Sequence, residues 1–381
     1  MPTPAPPAPP YDLAVVGLGP VGGALAALVG DRLRVVVLER DATAHALPRA
    51  AHLDGHALRV FAEAGVAVEG RPLDGFDLVD RAGRLLLRGR PAEAPPPGHP
   101  PGLLVHQPTV ERAIRRRLAA LGVEVRLGHR VGRVRDDGDG VTVEGVGPNG
   151  PFALRAGLVV GCDGARSVVR EAIGGALRGG GFEQAWLVVD AVLLRDLPLP
   201  HRLVQTADPA GATTYVPFAD PRRRWEFRLR PDEDAEAARR PEAVRRRLAS
   251  VVDPDAVEVE RAAVYVFHDL VAERWARGRL VLAGDAAHQM PPFLGQGLGA
   301  GLRDAAALAP RLVAVAGGAD PGVLDGYVAE RRPHVEATIR QAVRLGRLIT
   351  LPEPWATLRD RALRAAHRVP ALHRRLLDVR G

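Results

Sequence analysis

The spacing of apolar positions predicts a strand, a turn, a helix and a second strand at the start of the chain. Asp12–Val16 is a short apolar run, with the length and composition of a buried strand. Glycines follow, then an Ala/Leu-rich helical stretch, then a second apolar run at Arg34–Leu38. This order describes a compact βαβ unit built on a parallel sheet. Asp54 stands as an N-cap before Ala57, Val60, Phe61 and Ala64, which recur at helical spacing, and Gly65 closes that helix. A further helix is predicted from Thr109 to Leu121. Val110, Ile114, Leu118 and Leu121 line one face, Arg112, Arg115 and Arg116 the other, and Gly122 ends it. Val123–Leu127 reads as a strand, and Val131–Val146 as a hairpin broken at Asp137-Gly138-Asp139-Gly140.

The pattern changes between Ala185 and Phe267. Short β-like runs at Trp186–Leu194, Thr213–Pro217, Trp225–Leu229 and Ala262–Phe267 enclose one charged helix near Pro241–Val251. They predict a separate, sheet-rich domain. The first pattern resumes at Arg279, and the chain closes in Arg/Leu-rich helices. One domain is therefore assembled from separated segments. Pro91–Pro101 predicts an exposed loop. No internal repeat interrupts this order.

Composition narrows the class. With 381 residues and 46% hydrophobic content, the chain can bury one large core or two moderate ones. The net charge of +7 comes entirely from arginine, since there is no lysine. The arginines are spread along the chain without interleaved aromatics, which argues against nucleic acid as a partner. No apolar run reaches the ~20 residues of a membrane span. The opening MPTPAPPAPP has neither a basic nor an apolar signal region, so it reads as a disordered tail. A single cysteine, Cys162, permits no intrachain disulfide and fits a cytoplasmic protein. It reads as a small core residue. No pattern of metal ligands emerges.

Three motifs carry chemistry. The first is Gly17-Leu18-Gly19-Pro20-Val21-Gly22, between strand and helix. Gly17 permits a tight turn, Gly19 lets backbone amides approach a pyrophosphate, and Gly22 lets the helix pack on the strand. Glu39 follows the second strand about 20 residues after the middle glycine, where a carboxylate meets a ribose. This motif alone does not separate FAD from NAD. The second is Leu158-Val159-Val160-Gly161-Cys162-Asp163-Gly164-Ala165-Arg166-Ser167. Asp163 can meet cofactor hydroxyls or water, and Arg166 can meet a phosphate or pair with Asp163. The third is Arg279–Asp285, an apolar strand ending in Gly284-Asp285, then His288 and Pro291-Pro292-Phe293-Leu294-Gly295-Gln296-Gly297-Leu298-Gly299. Asp285 suits a polyol chain or an ordinary helix N-cap. The free amides of the helix that follows can stabilise negative charge.

Together and in this order, the three motifs resemble the p-hydroxybenzoate hydroxylase class of single-component (class A) FAD-dependent monooxygenases. The resemblance extends through Leu47–Gly55, His106-Gln107-Pro108, Trp186–Asp190 and Ala283–Gly301. The last three segments are most similar to the 3-(3-hydroxyphenyl)propionate hydroxylase-like branch. It stops short of the thioredoxin-like C-terminal domain which that branch often carries, so the branch's substrate and dimer contact do not carry over.

The resemblance implies an α/β fold. A Rossmann-like FAD-binding domain of the GR2 type would comprise 11–73, 102–180 and 270–340. An inserted mixed β-sheet substrate domain would comprise 74–101 and 181–269, and C-terminal helices 341–381. It also implies FAD as cofactor, NADH or NADPH as transient reductant, and a small aromatic substrate with O2. The phenolic or polyketide-like substrate would be hydroxylated through a flavin C4a-hydroperoxide by a monomer or homodimer. By resemblance, Gly17, Gly19, Pro20, Val21, Gly22, Glu39 and Arg40 hold the ADP part of FAD. Asp163, Gly164 and Arg166 lie near the pyrophosphate and the reductant path. Gly284 and Asp285 reach the ribityl chain, and Pro292, Gly295, Gln296, Gly297 and Leu298 lie against the isoalloxazine. Arg49, Gln107 and Val134 match further FAD positions.

Deprotonation activates a phenol, so a base is expected near the substrate. Tyr215 is the first candidate, followed by His268 and His288, with Pro292 beside the reacting groups. Baeyer–Villiger or epoxidising chemistry on the same fold, or a non-catalytic FAD-binding protein, are the alternatives. Flavin-dependent halogenation needs a lysine that this chain lacks.

Overall fold

A computed structural model describes residues 10–43, 50–89, 97–218 and 221–369. The proline-rich tail up to residue 9, Arg49, most of Pro91–Pro101 and residues 370–381 lie outside them. The first of two large sheets sets the strands Leu280–Leu282, Gly150–Gly161, Tyr11–Val16, Val35–Leu38 and Glu124–Arg126 side by side, all parallel. Leu13, Ala14, Val15, Val36, Val37 and Leu158–Val160 are fully buried. Helices cover both faces of a parallel sheet, so its strands read as unbroken apolar runs instead of alternating ones. The helix Pro20–Val29 lies so close to Gln107–Ala120 that a Cβ at Gly23 would stand 2.4 Å from Ile114. The latter helix starts two residues before the predicted Thr109, because Pro108 suits its first turn.

The predicted hairpin is present as Arg130–Asp136 and Val141–Gly147. Its third strand is the 12-residue Gly150–Gly161. That strand pairs antiparallel with Val141–Gly147 and parallel with Tyr11–Val16.

The second sheet has eight strands and is largely antiparallel. Its centre is the pair Leu177–Leu193 and Val257–Ala272, both longer than the predicted runs. Gly179-Gly180-Gly181 hides the first half of the former, since glycines carry no apolar signal. There the Asp269 carboxylate takes the Gly180 and Phe182 amides at 3.0 Å across a register shift. Leu203–Ala207, Phe76–Asp80 and Leu85–Gly89 complete the far edge, strands not delineated in the sequence although 74–101 and 181–269 are assigned there to this sheet domain. A smaller sheet joins His52–Asp54, Gly102–Leu104 and Arg71–Pro72.

Side chains alternate along a strand, so register decides which face each residue takes. Leu187, Val189, Tyr215, Trp225 and Phe227 share the outer face and form one core with Val244 and Leu248 of the helix Pro241–Leu248. Trp186, Val188, Glu226 and Thr214 share the inner face. This face meets the first unit through Phe293, whose ring lies 5.7 Å from that of Trp186 and 6.0 Å from that of Phe182. The helices Val323–Ile349 and Trp355–Arg368 close the structure on that side. Buried Arg359 donates to the Leu348 and Ile349 carbonyls and, across the interface, to that of Ala207. No helix among the described residues is long and apolar enough to cross a membrane.

Candidate functional site

Three parallel strands end in register at Val16, Gly161 and Leu282, and Leu38 ends beside Val16. Gly17, Glu39, Asp163 and Asp285 therefore follow onto one edge of the sheet. Carboxyl ends of strands in open α/β sheets are where ligands bind. The three motifs also touch. A Cβ at Gly17 would stand 2.4 Å from the Cys162 carbonyl, and one at Gly284 3.2 Å from Val21.

The glycines divide by what surrounds them. Gly17 has a φ of +101°, which an L side chain resists. A Cβ at Gly22 would lie 2.1 Å from the Gly17 carbonyl oxygen, whereas one at Gly19 would meet nothing within 4 Å. Gly22 is thus required by the protein, and Gly19 leaves room for something else. Gly19 N-caps the helix beginning at Pro20, without any side-chain cap. Val21 packs against Gly284 and Gly301. The Glu39 carboxylate accepts from the Leu18 amide at 2.7 Å and the Asp41 amide at 2.9 Å, locking the acid beside the turn. Arg40 is exposed.

The Asp163 carboxylate takes the Val168 amide at 2.8 Å through one oxygen. Its other oxygen, Oδ1, is buried without a hydrogen-bond partner. Burial raises the pKa of Asp163 against the opposing hydrogen bonds from Ser167 and the backbone. A carboxylate left in this state calls for a donor from water or ligand. Gly164, at φ +78°, opens onto free space, and Arg166 is exposed. Arg170, which the sequence reading did not single out, is buried and donates to the Ala165 and Ala286 carbonyls at 2.7 and 3.0 Å. It ties the second motif to the third. Cys162 has its thiol pushed far up by burial, which makes it inert as a nucleophile.

Asp285 is exposed within the 3-10 turn Gly284–Ala286, whose N-cap position is Ala283. The turn is held from beneath by Asp304, a fully buried carboxylate also absent from the sequence reading. It accepts from the Gly284 amide at 3.1 Å, His288 Nε2 at 2.6 Å and Arg331 Nε at 3.0 Å. The helix Gly297–Ala316 begins at Gln296 with no side-chain cap. Gly295 is exposed at φ +63°, Pro292 and Leu298 are half-buried, and a Cβ at Gly297 would meet only Met290, at 3.7 Å. Gln107 is buried as a strut. Its oxygen accepts from the Ala50 amide at 2.7 Å and its nitrogen donates to Glu111 at 2.8 Å. Val134 buries its side chain in the core opposite Val143. Only its main chain, on the outer strand of the hairpin, is left to meet a ligand.

Three expected bases sit elsewhere than anticipated. Tyr215 packs 5.7 Å from Trp225 on the outer face, because strand alternation points it at the helix Pro241–Leu248. His268 is paired with Glu183 at 3.6 Å on the face opposite Phe267, which belongs to the cluster of Trp186 and Phe293. His288 is only 1% exposed and is consumed by Asp304. Neither Tyr215 nor His268 points to the inner face, and His288 has its Nε2 committed to Asp304.

The chain resembles known proteins along most of its length. A family model described as "FAD binding domain" matches residues 10–342. A probable NADH-specific resorcinol 4-hydroxylase of Rhodococcus jostii is 40% identical over 362 residues, 93% of this chain and 67% of the relative. A 3-(3-hydroxy-phenyl)propionate/3-hydroxycinnamic acid hydroxylase of Mycolicibacterium smegmatis is 39% identical over 97% of this chain and 67% of the relative. This chain thus spans about two thirds of the length of such curated relatives. The crystal structure of p-nitrophenol 4-monooxygenase from Pseudomonas putida superposes with a TM-score of 0.86 at 30% identity, covering 96% of both chains. The chain belongs to the FAD-binding-domain family and is, with these relatives, an FAD-dependent aromatic hydroxylase.

Proposed function

We propose that this enzyme hydroxylates a small phenol, holding FAD along the shared carboxyl edge of the first sheet and the phenol between that edge and the inner face of the second. The carrying observation is the in-register ending of the strands that deliver Gly17, Glu39, Asp163 and Asp285. When bound, FAD supplies electron transfer from NADH or NADPH and the activation of O2. The chain's own residues supply the rest. The uncapped amides at Gly19–Gly22 suit the pyrophosphate, and Glu39, with lone pairs to spare, suits a ribose hydroxyl. Asp163 Oδ1, short of a donor, suits a cofactor hydroxyl or an ordered water. Asp285 suits the ribityl hydroxyls. The start of the helix Gly297–Ala316 offers its positive end to negative charge on the ring. The small phenols in the relatives' names support the substrate class, and a single cysteine suits the cytoplasm.

The test is turnover. The purified protein is expected to be yellow and to release FAD on denaturation. A phenolic substrate is expected to speed NAD(P)H oxidation at least ~10-fold, or about 1.4 kcal/mol off the barrier, with a product one oxygen heavier by mass. A colourless protein that FAD cannot reconstitute overturns the reading.

Asp285→Ala is expected to weaken FAD retention about tenfold by removing a hydrogen-bond partner of the ribityl chain. FAD titration of the apoprotein, followed by flavin fluorescence, measures this. Unaltered affinity removes Asp285 from the cofactor site.

A further inference from the structure

The inner face of the second sheet carries a carboxylate that no motif explains. Glu226 lies on the strand Arg222–Arg228, paired with Val188 on one side and Thr214 on the other. Val188 is two residues from Trp186, so Glu226 shares a face with the ring that packs on Phe293. Two residues the other way along the face, Asp190 pairs with Arg224. The field of Asp190 reaches His106, which leads into the helix Gln107–Ala120. Glu226 thus stands between the two places where this face meets the cofactor-binding unit, the turn at Phe293 and the loop at His106.

The charges around it are unevenly shared. Asp190 takes Arg224 at 2.7 and 3.2 Å and Arg261 at 3.5 Å. Glu226 receives Arg224 only at 3.9 Å, and among the described residues its carboxylate accepts no hydrogen bond. Its side chain is 12% exposed. Burial raises its pKa and Asp190 adds to this, against the pull of Arg224. The other charged groups on this side are Arg222 and Arg228 on the same strand, Arg261 and Glu260 on Val257–Ala272, with Glu260 paired to Arg222, and His106, which feels Arg222, Glu260 and Asp190; Thr214 adds only a hydroxyl.

We propose that Glu226 is a catalytic residue that accepts the proton of the substrate's phenolic hydroxyl. This rests on the phenol hydroxylase reading above. The substrate O–H bond breaks and its proton joins a Glu226 oxygen. The electron pair stays on the phenolic oxygen and enriches the ortho and para carbons. One of these carbons bonds to one atom of O2. The other atom leaves as water, with two electrons from NAD(P)H. The ring carbon then loses its hydrogen as a proton, restoring aromaticity. A carboxylate of raised basicity is better matched to a phenol, whose pKa is near ~10, than an ordinary glutamate is.

The holoenzyme and its Glu226→Gln and Glu226→Asp variants decide the matter, with resorcinol and 3-(3-hydroxyphenyl)propionate as probes. Glutamine keeps the volume and cannot take the proton. The wild type is expected to gain both kcat/KM and phenol affinity as pH rises through the pKa of Glu226, above the ordinary carboxylate range. Affinity is read from the change in flavin absorbance on binding. In Glu226→Gln, product formation falls about 100-fold and both acid limbs vanish. Glu226→Asp restores the limbs. An acid limb that persists in Glu226→Gln overturns the proposal whatever the rate, because a merely structural carboxylate would leave the limb in place. A wild type that hydroxylates no phenol instead overturns the reading on which this one stands.

Discussion

Asp304→Ala is expected to lower the unfolding free energy by about 3–5 kcal/mol and to cost the protein its FAD. Asp304 is completely buried and accepts from the Gly284 amide, His288 and Arg331. Arg331 is itself 6% exposed. Its other hydrogen bond is a long one, 3.4 Å to the Ala300 carbonyl. Truncation strands a buried cation and an amide together, which is the expensive way to break an ion pair. The loss also frees the turn that presents Asp285. The pH dependence follows from the direction of the shift. Burial pushes the Asp304 pKa up, but His288, Arg331 and the Gly284 amide outweigh it and hold it below the ordinary value. A depressed carboxylate stabilises the fold above its unfolded pKa of ~4 and ceases to as pH falls through the folded value. The difference between wild type and variant is thus largest near neutrality and shrinks in acid. Urea unfolding at several pH values measures it. A neutral-pH difference under about 1 kcal/mol refutes the account.

The same substitution at two nearby glycines is expected to act in opposite ways. Gly22→Ala drives a methyl to 2.1 Å from the Gly17 carbonyl oxygen and 3.0 Å from the Cys162 side chain. Backbone cannot yield as a flexible side chain does, so the helix Pro20–Val29 must back away from its strand. A cost at the upper end of overpacking, about 3 kcal/mol or more, follows, with low soluble yield. Gly19→Ala meets no protein atom within 4 Å. Its apoprotein should unfold within about 0.5 kcal/mol of wild type, yet bind FAD at least ~10-fold more weakly, a loss of 1.4 kcal/mol. Thermal unfolding of the apoproteins and FAD titration separate the two effects. If Gly19→Ala binds FAD normally, the space above Gly19 does not receive the pyrophosphate.

What the sequence disclosed was local. The first strand, the glycine turn, the helix and Glu39 lie within one βαβ unit, and their spacing is set by backbone geometry alone. The Asp54 cap was legible for the same reason, and its carboxylate accepts the Ala57 amide at 2.8 Å. What stayed hidden depends on distant partners. Tyr215 lies on a strand of the expected sheet, but which face it takes depends on its register with Trp225, and no run of four residues reveals that. Glu226 sits in a strand with four arginines and reads as solvated charge; only the pairing with Val188 and Thr214 brings it inside. Asp304 looks like any polar position of a long helix until Arg331 and His288 converge on it. Arg170 likewise gains its meaning from Ala286, 116 positions away.

The strand order of the first sheet governs how the protein is made. Leu280–Leu282 inserts beside Gly150–Gly161, which lies beside Tyr11–Val16, and Arg303 reaches back across 249 residues to Asp54. The nascent chain cannot close the flavin-binding edge until the ribosome has passed Asp304. At ordinary elongation speeds that is roughly 15–60 s after Gly17 emerges. During that interval the unpaired sheet edge is exposed to other chains, and non-local pairings of this kind fold slowly. Overproduction is therefore expected to reward slow synthesis, low temperature and a ready supply of flavin, since the cofactor binds only the closed edge and draws the completed chain toward it.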